Sequence, residues 1–246
     1  MKTAVRVLLL GAKGRMGQAI AAVAPNAGIE IAAGLDLGDD IAKEIEACDV
    51  VIDFSHPNAS GALSHACRDA NKPAVIGTTG HSKEERAALE ELARSVPVVL
   101  SPNFSVGVNA LFWLTRKAAQ MLGENFDLEV TEMHHRLKKD APSGTALKMA
   151  DILARAVNRD LDQVGVYARK GLIGERTKAE IGMQTIRAGD IVGDHTVIFG
   201  AVGERIEVTH RAHSRDTFAS GALRAAAWVV TQPPGLYDML DVLRLR

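Results

Sequence analysis

Val5 to Leu10 is an apolar run, broken only at Arg6, and it ends at Gly11. A segment apolar at successive positions predicts a strand covered on both faces, as in a parallel sheet. Similar short runs follow at Ile29 to Leu35, Asp49 to Phe54, Ala74 to Gly77 and Val96 to Leu100. Helical patterns lie between most of them. The clearest is Ser82 to Arg94, with Ser82 at the cap and Glu84 and Glu85 in the first turn. Strands alternating with helices predict a doubly wound parallel sheet.

After Asn103-Phe104-Ser105-Val106-Gly107 the rhythm changes. A helix over Val108 to Leu122 precedes a strand over Phe126 to Met133. Ala146, Ala150, Leu153 and Val157 then recur at spacings of 4, 3 and 4, which is one face of a helix. Met183 to Ala188, His195 to Phe199 and Arg205 to His210 read as strands with no helix between them, which predicts a mainly antiparallel or mixed sheet. A helix over Phe218 to Val230 returns to the first domain, and Pro233-Pro234-Gly235 breaks it. The predicted division is 1–105 with 216–246 as one domain and 106–215, of α+β type, as the other.

Composition narrows the partners. Lys plus Arg is 29 and Asp plus Glu is 30 among 246 residues, so no basic field points to nucleic acid. No apolar run is long enough to cross a bilayer. Met1-Lys2-Thr3-Ala4-Val5-Arg6 runs into a strand pattern with no signal peptide, which predicts a cytoplasmic location. Cys48 and Cys67 have no metal spacing and read as packed apolar residues. There is no GK[ST] after the first glycine loop, no HExxH zinc motif and no GxSxG elbow, and Tyr167 and Lys170 lack the spacing of a Tyr-x-x-x-Lys pair.

The first candidate site is Gly11-Ala12-Lys13-Gly14-Arg15-Met16-Gly17, between a strand and a helix. Such a loop lets the backbone approach a pyrophosphate at a helix N-terminus, although a plain strand-helix turn has the same glycines. Its place in the first βαβ unit, and Asp36 at the end of the next strand, favour a Rossmann-type dinucleotide site. Asp36 suits a free ribose 2′-hydroxyl, and Leu37 supplies no guanidinium for a 2′-phosphate, so NADH is favoured. Lys13 and Arg15 keep NADPH open. Gly77-Thr78-Thr79-Gly80 and Ser101-Pro102-Asn103-Phe104 close the fourth and fifth strands and are candidates to hold the nicotinamide end, though turn chemistry alone accounts for either.

The second candidate site is Glu132 to Leu147, which contains His134, His135, Arg136, Lys138 and Lys139 ahead of Pro142-Ser143-Gly144-Thr145 and a helical pattern. Imidazoles titrate near neutrality, and a helix start offers N–H groups to a carboxylate. A solvated charge run is the bland alternative. A basic patch on a neutral background favours a small anion over a polyanion. The other histidines, His56, His65, His81, His195, His210 and His213, are expected to be structural.

The two sites, with Asp53-Phe54-Ser55, Asn103 to Asn109, Arg187 to His195, Gly203-Glu204-Arg205 and Thr209 to Arg215, resemble the 4-hydroxy-tetrahydrodipicolinate reductase family of the diaminopimelate route to lysine, in order over nearly the whole chain. The resemblance implies a dinucleotide-binding domain (1–105 and 216–246) for NADH or NADPH and a substrate-binding and oligomerisation domain (106–215) that builds a homotetramer. The substrate would be a cyclic imine dicarboxylate, reduced by hydride with loss of water. It also implies His134 as catalytic acid, Lys138 as second proton donor, His135 as a substrate ligand and Gly144-Thr145 as the carboxylate turn. Arg136 and Lys139 are left with only a field effect. The chain departs from the family pattern at Leu37, where many members carry Arg, and in a short stretch from Asp36 to Asp49. Two further readings are a different NAD(P) oxidoreductase acting on another amino-dicarboxylate and a non-catalytic nicotinamide sensor.

Overall fold

The computed structural model describes residues 4–246; residues 1–3, on which part of the N-terminal reading falls, lie outside the described residues. The chain divides into two units, one running to Asn109 and resuming over Arg215–Arg246, the other spanning Ala110–Ser214. Strand and helix alternate first: β1 (Val5–Leu10), α1 (Arg15–Val23), β2 (Ile29–Leu35), α2 (Ile41–Glu44), β3 (Val50–Asp53), α3 (Ser60–Asp69), β4 (Ala74–Ile76), α4 (Lys83–Leu92) and β5 (Pro97–Leu100). Then come α5 (Val106–Leu122), β6 (Asp127–His134), α6 (Gly144–Ala156), α7 (Leu161–Val164), β7 (Gly165–Tyr167), β8 (Ile181–Arg187), β9 (Gly193–Ala201) and β10 (Glu204–Ala212). The chain closes with α8 (Asp216–Val229), β11 (Gly235–Tyr237) and α9 (Met239–Val242).

The first unit holds a parallel sheet in the order β11-β5-β4-β3-β1-β2. Successive β1 residues face opposite layers. Val7 and Leu9 pack with Ile20 of α1 and with Ala222, Ala226 and Val229 of α8. Leu8 and Leu10 pack with Leu63 and Cys67 of α3 and with Leu89 and Leu92 of α4. This is why β1 is apolar on both faces, and both cysteines sit in the second of these layers as small buried residues. Ser82 and Glu85 form the capping box that starts α4. The proline break after α8 leads into β11, a short strand that the sequence does not announce.

The second unit holds a sheet in the order β10-β9-β6-β8-β7. Pairing is antiparallel on the β9 side of β6 and parallel on the β8 side, so the sheet is mixed. This agrees with the expected antiparallel or mixed sheet; the parallel part arises from the crossover from β6 through α6 to β8, and from β7, which is only Gly165-Val166-Tyr167 and was not predicted. The predicted helix face is buried against this sheet: Ala146, Ala150 and Leu153 pack with Leu128, Val130, Val197 and Phe199. Burying the larger of these side chains, Leu128, Val130, Leu153, Val197 and Phe199, contributes roughly 1.5–3 kcal/mol each. Farther along the same face the alternation of β6 continues into Glu132 and His134, both buried. The face thus changes from apolar to ionisable where α6 begins. Among the described residues, no helix is long and apolar enough to cross a membrane.

Candidate active site and nucleotide cleft

In the first unit the glycines make room where backbone meets backbone. Gly11 has φ +79°, in the left-handed region, and a Cβ there would overlap the Phe54 carbonyl oxygen. A Cβ at Gly17 would overlap the Gly11 carbonyl oxygen, so α1 lies against the loop only because that side chain is missing. Gly14 is the extended N-cap of α1, with no side chain capping the helix and no acidic residue in the first turn. The first-turn N–H groups therefore keep their donors for an anion. Lys13, Gly14 and Arg15 are exposed, while Ala12 and Met16 are half-buried.

A cavity of about 630 Å³ runs along the carboxyl ends of β1, β2 and β3, lined by Gly11, Gly14, Asp36, Asp39, Phe54 and Ser55 among others. The Lys13 N–H donates to both Asp36 carboxylate oxygens at 3.2 Å, and Lys13 Nζ stands 3.9 Å from Asp36. Asp39 accepts the Asp36 N–H at 2.8 Å and adds a second carboxylate to the rim, which the sequence reading did not include. The Leu37 side chain is fully solvent-facing at 93% exposure and offers no positive charge.

The two turn candidates are tied into the fold. Thr78 is buried, and its hydroxyl accepts the Ser55 N–H at 2.9 Å. Ser55 also donates its hydroxyl to the buried Asp53 carboxylate at 2.5 Å. Burial pushes the Asp53 carboxyl up despite these hydrogen bonds from Ser55 and Thr78. Gly77 is pressed against the Phe54 ring, leaving Thr79 and Gly80 as the exposed part of that turn. Ser101 donates to the Asn103 carbonyl at 2.9 Å, and Asn103 Oδ1 accepts the Ser105 N–H at 2.9 Å. Phe104 is buried edge-on to Phe54, with ring centroids 5.6 Å apart, and Pro102 is exposed.

In the second unit, Glu132 and His134 stand two apart on β6 and so share a face. His134 Nδ1 is 2.5 Å from Glu132 Oε2. Arg187 of β8 grips the same carboxylate with both terminal nitrogens, at 2.9 and 2.8 Å, and the Ser143 N–H adds a bond at 3.1 Å. The Ser143 hydroxyl caps α6 through the Ala146 N–H at 3.2 Å and pairs with His195 Nε2 at 3.1 Å. The His195 ring lies edge-on to His134, with centroids 5.1 Å apart. A Cβ at Gly193 would stand 3.0 Å from His134 Nε2, so that nitrogen faces a residue without a side chain.

The electrostatics follow from burial and this network. Burial lowers the proton affinity of His134; Glu132 opposes it, and Lys138 and Arg187 add to it, leaving the imidazole below its usual range. For Glu132, burial pushes upward, but Arg187, His134 and the Ser143 N–H outweigh it and hold the carboxyl low. Burial first, then the neighbouring His134, pushes His195 down to about 4, which leaves it neutral at pH 7. Lys138 pairs with Asp140 at 2.9 Å. His135 is half-buried, and its Nδ1 has no partner. Gly144 and Thr145 open α6, and because Ser143 satisfies only the Ala146 N–H, their own N–H groups remain available.

The sequence reading brought His134, His135, Lys138 and the Gly144-Thr145 turn to this end of the sheet, but treated His195 as structural and gave Arg187 and Glu132 no role. Arg187 lies opposite His134, and His195 opposite Glu132. Only strand register reveals those neighbours. The period-two alternation of β6 puts Glu132 and His134 on one face and was the local signal that went unused.

A phosphate-ready helix start in a parallel sheet, and a buried imidazole braced by a carboxylate on a second sheet, define a two-domain oxidoreductase of the nicotinamide-nucleotide type. The family model described as dihydrodipicolinate reductase, N-terminus, matches residues 5–104, and that described as dihydrodipicolinate reductase, C-terminus, matches residues 107–243. The chain belongs to the dihydrodipicolinate reductase family. It is 58% identical over 213 residues to the 4-hydroxy-tetrahydrodipicolinate reductase of Syntrophus aciditrophicus, covering 87% of this chain and 80% of that protein. It is 53% identical over 242 residues to the enzyme of the same name from Akkermansia muciniphila, covering 98% of each. A dipicolinate-bound dihydrodipicolinate reductase from Paenisporosarcina sp. TG-14 superposes with a TM-score of 0.77 at 26% identity, covering 97% of this chain and 98% of that one.

Proposed function

We propose that this protein reduces 4-hydroxy-tetrahydrodipicolinate to tetrahydrodipicolinate, with loss of water, in the diaminopimelate route to lysine. Family membership supports the reaction, and the observation that carries the site is the buried Glu132–His134 pair beside the open start of α6. The unit formed by residues 1–105 and 216–246 binds the nucleotide, through Gly11 to Met16, Asp36, Gly77 to Thr79 and Ser101 to Phe104. The reduced nicotinamide supplies a hydride. The substrate unit, 106–215, supplies protons and anion sites. His134 gives a proton from Nε2, since Nδ1 is engaged by Glu132, and its depressed proton affinity makes that proton easy to release. Lys138 is the second donor. One substrate carboxylate accepts the Gly144 and Thr145 N–H groups, and His135 holds the other.

Finer assignments belong to the same proposal. NADH is preferred over NADPH, because Asp36 and Asp39 both line the cleft and Leu37 leaves a 2′-phosphate without a guanidinium. The chain assembles as a homotetramer in the cytoplasm. Met133 and Ile198, half-buried, and Ile186, 40% exposed, lie on the sheet face away from α6 and support self-association. Nicotinamide oxidation with the condensation product of pyruvate and aspartate semialdehyde tests the activity. Turnover with oxaloacetate and ammonia but not with that product would replace this reading by another amino-dicarboxylate reductase. Cofactor binding with no turnover on either would replace it by a sensor.

A further inference from the structure

The Glu132 carboxylate is buried, and both its oxygens are filled. Oε1 accepts from Ser143 and Arg187, and Oε2 accepts from Arg187 and meets His134. An ionised carboxylate only accepts, so it fixes Nδ1 of His134 as the protonated nitrogen and leaves Nε2 as the one that exchanges protons. Arg187 does more than neutralise. One of its terminal nitrogens also donates to the Asp140 carbonyl at 2.6 Å, in the segment that carries Lys138. A single guanidinium thus braces the supports of both proton donors.

We infer that Arg187 and Glu132 are positioning residues for the reaction, together fixing the Nδ1–H tautomer of His134 and setting how tightly Nε2 holds its proton. The inference rests on the reading of His134 as the acid. A carboxylate against an imidazole, left alone, raises its proton affinity strongly; a guanidinium gripping that carboxylate cancels much of the effect. The other ionisable groups around the ring are His195 on β9, and Lys138, with its partner Asp140, in the following loop. The first turn of α6 carries no acidic residue. With the carboxylate balanced, burial decides the direction, and the imidazole stays a willing donor.

The test is a nitrogen-detected NMR titration of the His134 ring in the full chain, without substrate or cofactor. Arg187→Met should raise its midpoint by about one pH unit or more, and Glu132→Gln should lower it. Arg187→Lys, which keeps the charge, should titrate near the parent. If Arg187→Met does not fold because Glu132 is left unpaired, the double variant carries the same comparison: it should titrate above Glu132→Gln and below the parent. An unmoved ring in Arg187→Met, equal shifts in Arg187→Met and Glu132→Gln, or a protonated Nε2 in the neutral parent ring would overturn the inference. The pH limb of kcat/KM is recorded in parallel. If the ring moves and the limb does not, the positioning of the ring stands and the reading of His134 as the acid fails.

Discussion

The two candidate sites are built from opposite materials. The nucleotide cleft is made of backbone and of missing side chains: Gly11 and Gly17 are there because a Cβ at either would collide with main chain. The acid site is made of side chains from three strands, Glu132 and His134 from β6, Arg187 from β8 and His195 from β9. A site of the first kind is damaged by adding atoms and one of the second kind by removing charge. The first therefore tolerates little change in shape, and the second little change in protonation.

The largest effects are expected where chemistry depends on a proton. His134→Gln and Lys138→Ala should each cut kcat by ~10² or more while circular dichroism and thermal unfolding stay near the parent. Near-normal turnover in both would remove the acid site from the comparison. Next comes the stability of the same cluster against acid. The native state resists protonating His195, whereas the unfolded chain accepts that proton near 6.5. Stability is then full above pH 6.5 and falls as the pH drops toward about 4, by about 3 kcal/mol at most from this group. Urea unfolding at pH 7 and pH 5 should show the slope, and His195→Gln should flatten it; an unchanged slope would mean that other groups carry it.

Added atoms come third. Gly17→Ala should destabilise the first unit by about 1–3 kcal/mol and weaken nucleotide binding, while Gly144→Ala, whose Cβ meets nothing within 4 Å, should leave stability unchanged. Equal melting temperatures for the two variants would contradict the account of the cradle. The smallest effect is selectivity: Asp36→Ala should lower the NADH-to-NADPH ratio of kcat/KM by about tenfold, since hydrogen bonds to a charged group are worth roughly 1.5–3 kcal/mol. A parent enzyme already favouring NADPH strongly would assign the 2′-phosphate to Lys13 and Arg15.

This contrast also explains what the sequence could tell. Signals close along the chain were readable: the double-sided burial of β1, the Ser82 cap, the glycine loop, and the Ala146-Ala150-Leu153 face all lie within a few residues of their cause. Segments whose form depends on a distant partner were not. β7 and β11 are three residues each and exist through the strands they join. The Thr78 hydroxyl accepts the N–H of Ser55, 23 positions away, a tie that nothing local to either residue announces. Arg187 stands 55 positions from Glu132, and nothing local to either announces the pair.

The return of α8 to the first sheet has a consequence for biosynthesis. Ala219, Ala222, Ala226 and Val229 complete a layer begun by Val7 and Leu9, so nearly the whole chain must leave the ribosome before that layer can close. The segment Ala110–Ser214 is continuous and can collapse while the ends of its host still wait for each other. During translation the later-made middle is thus the natural first domain to mature, and the nucleotide fold is the last.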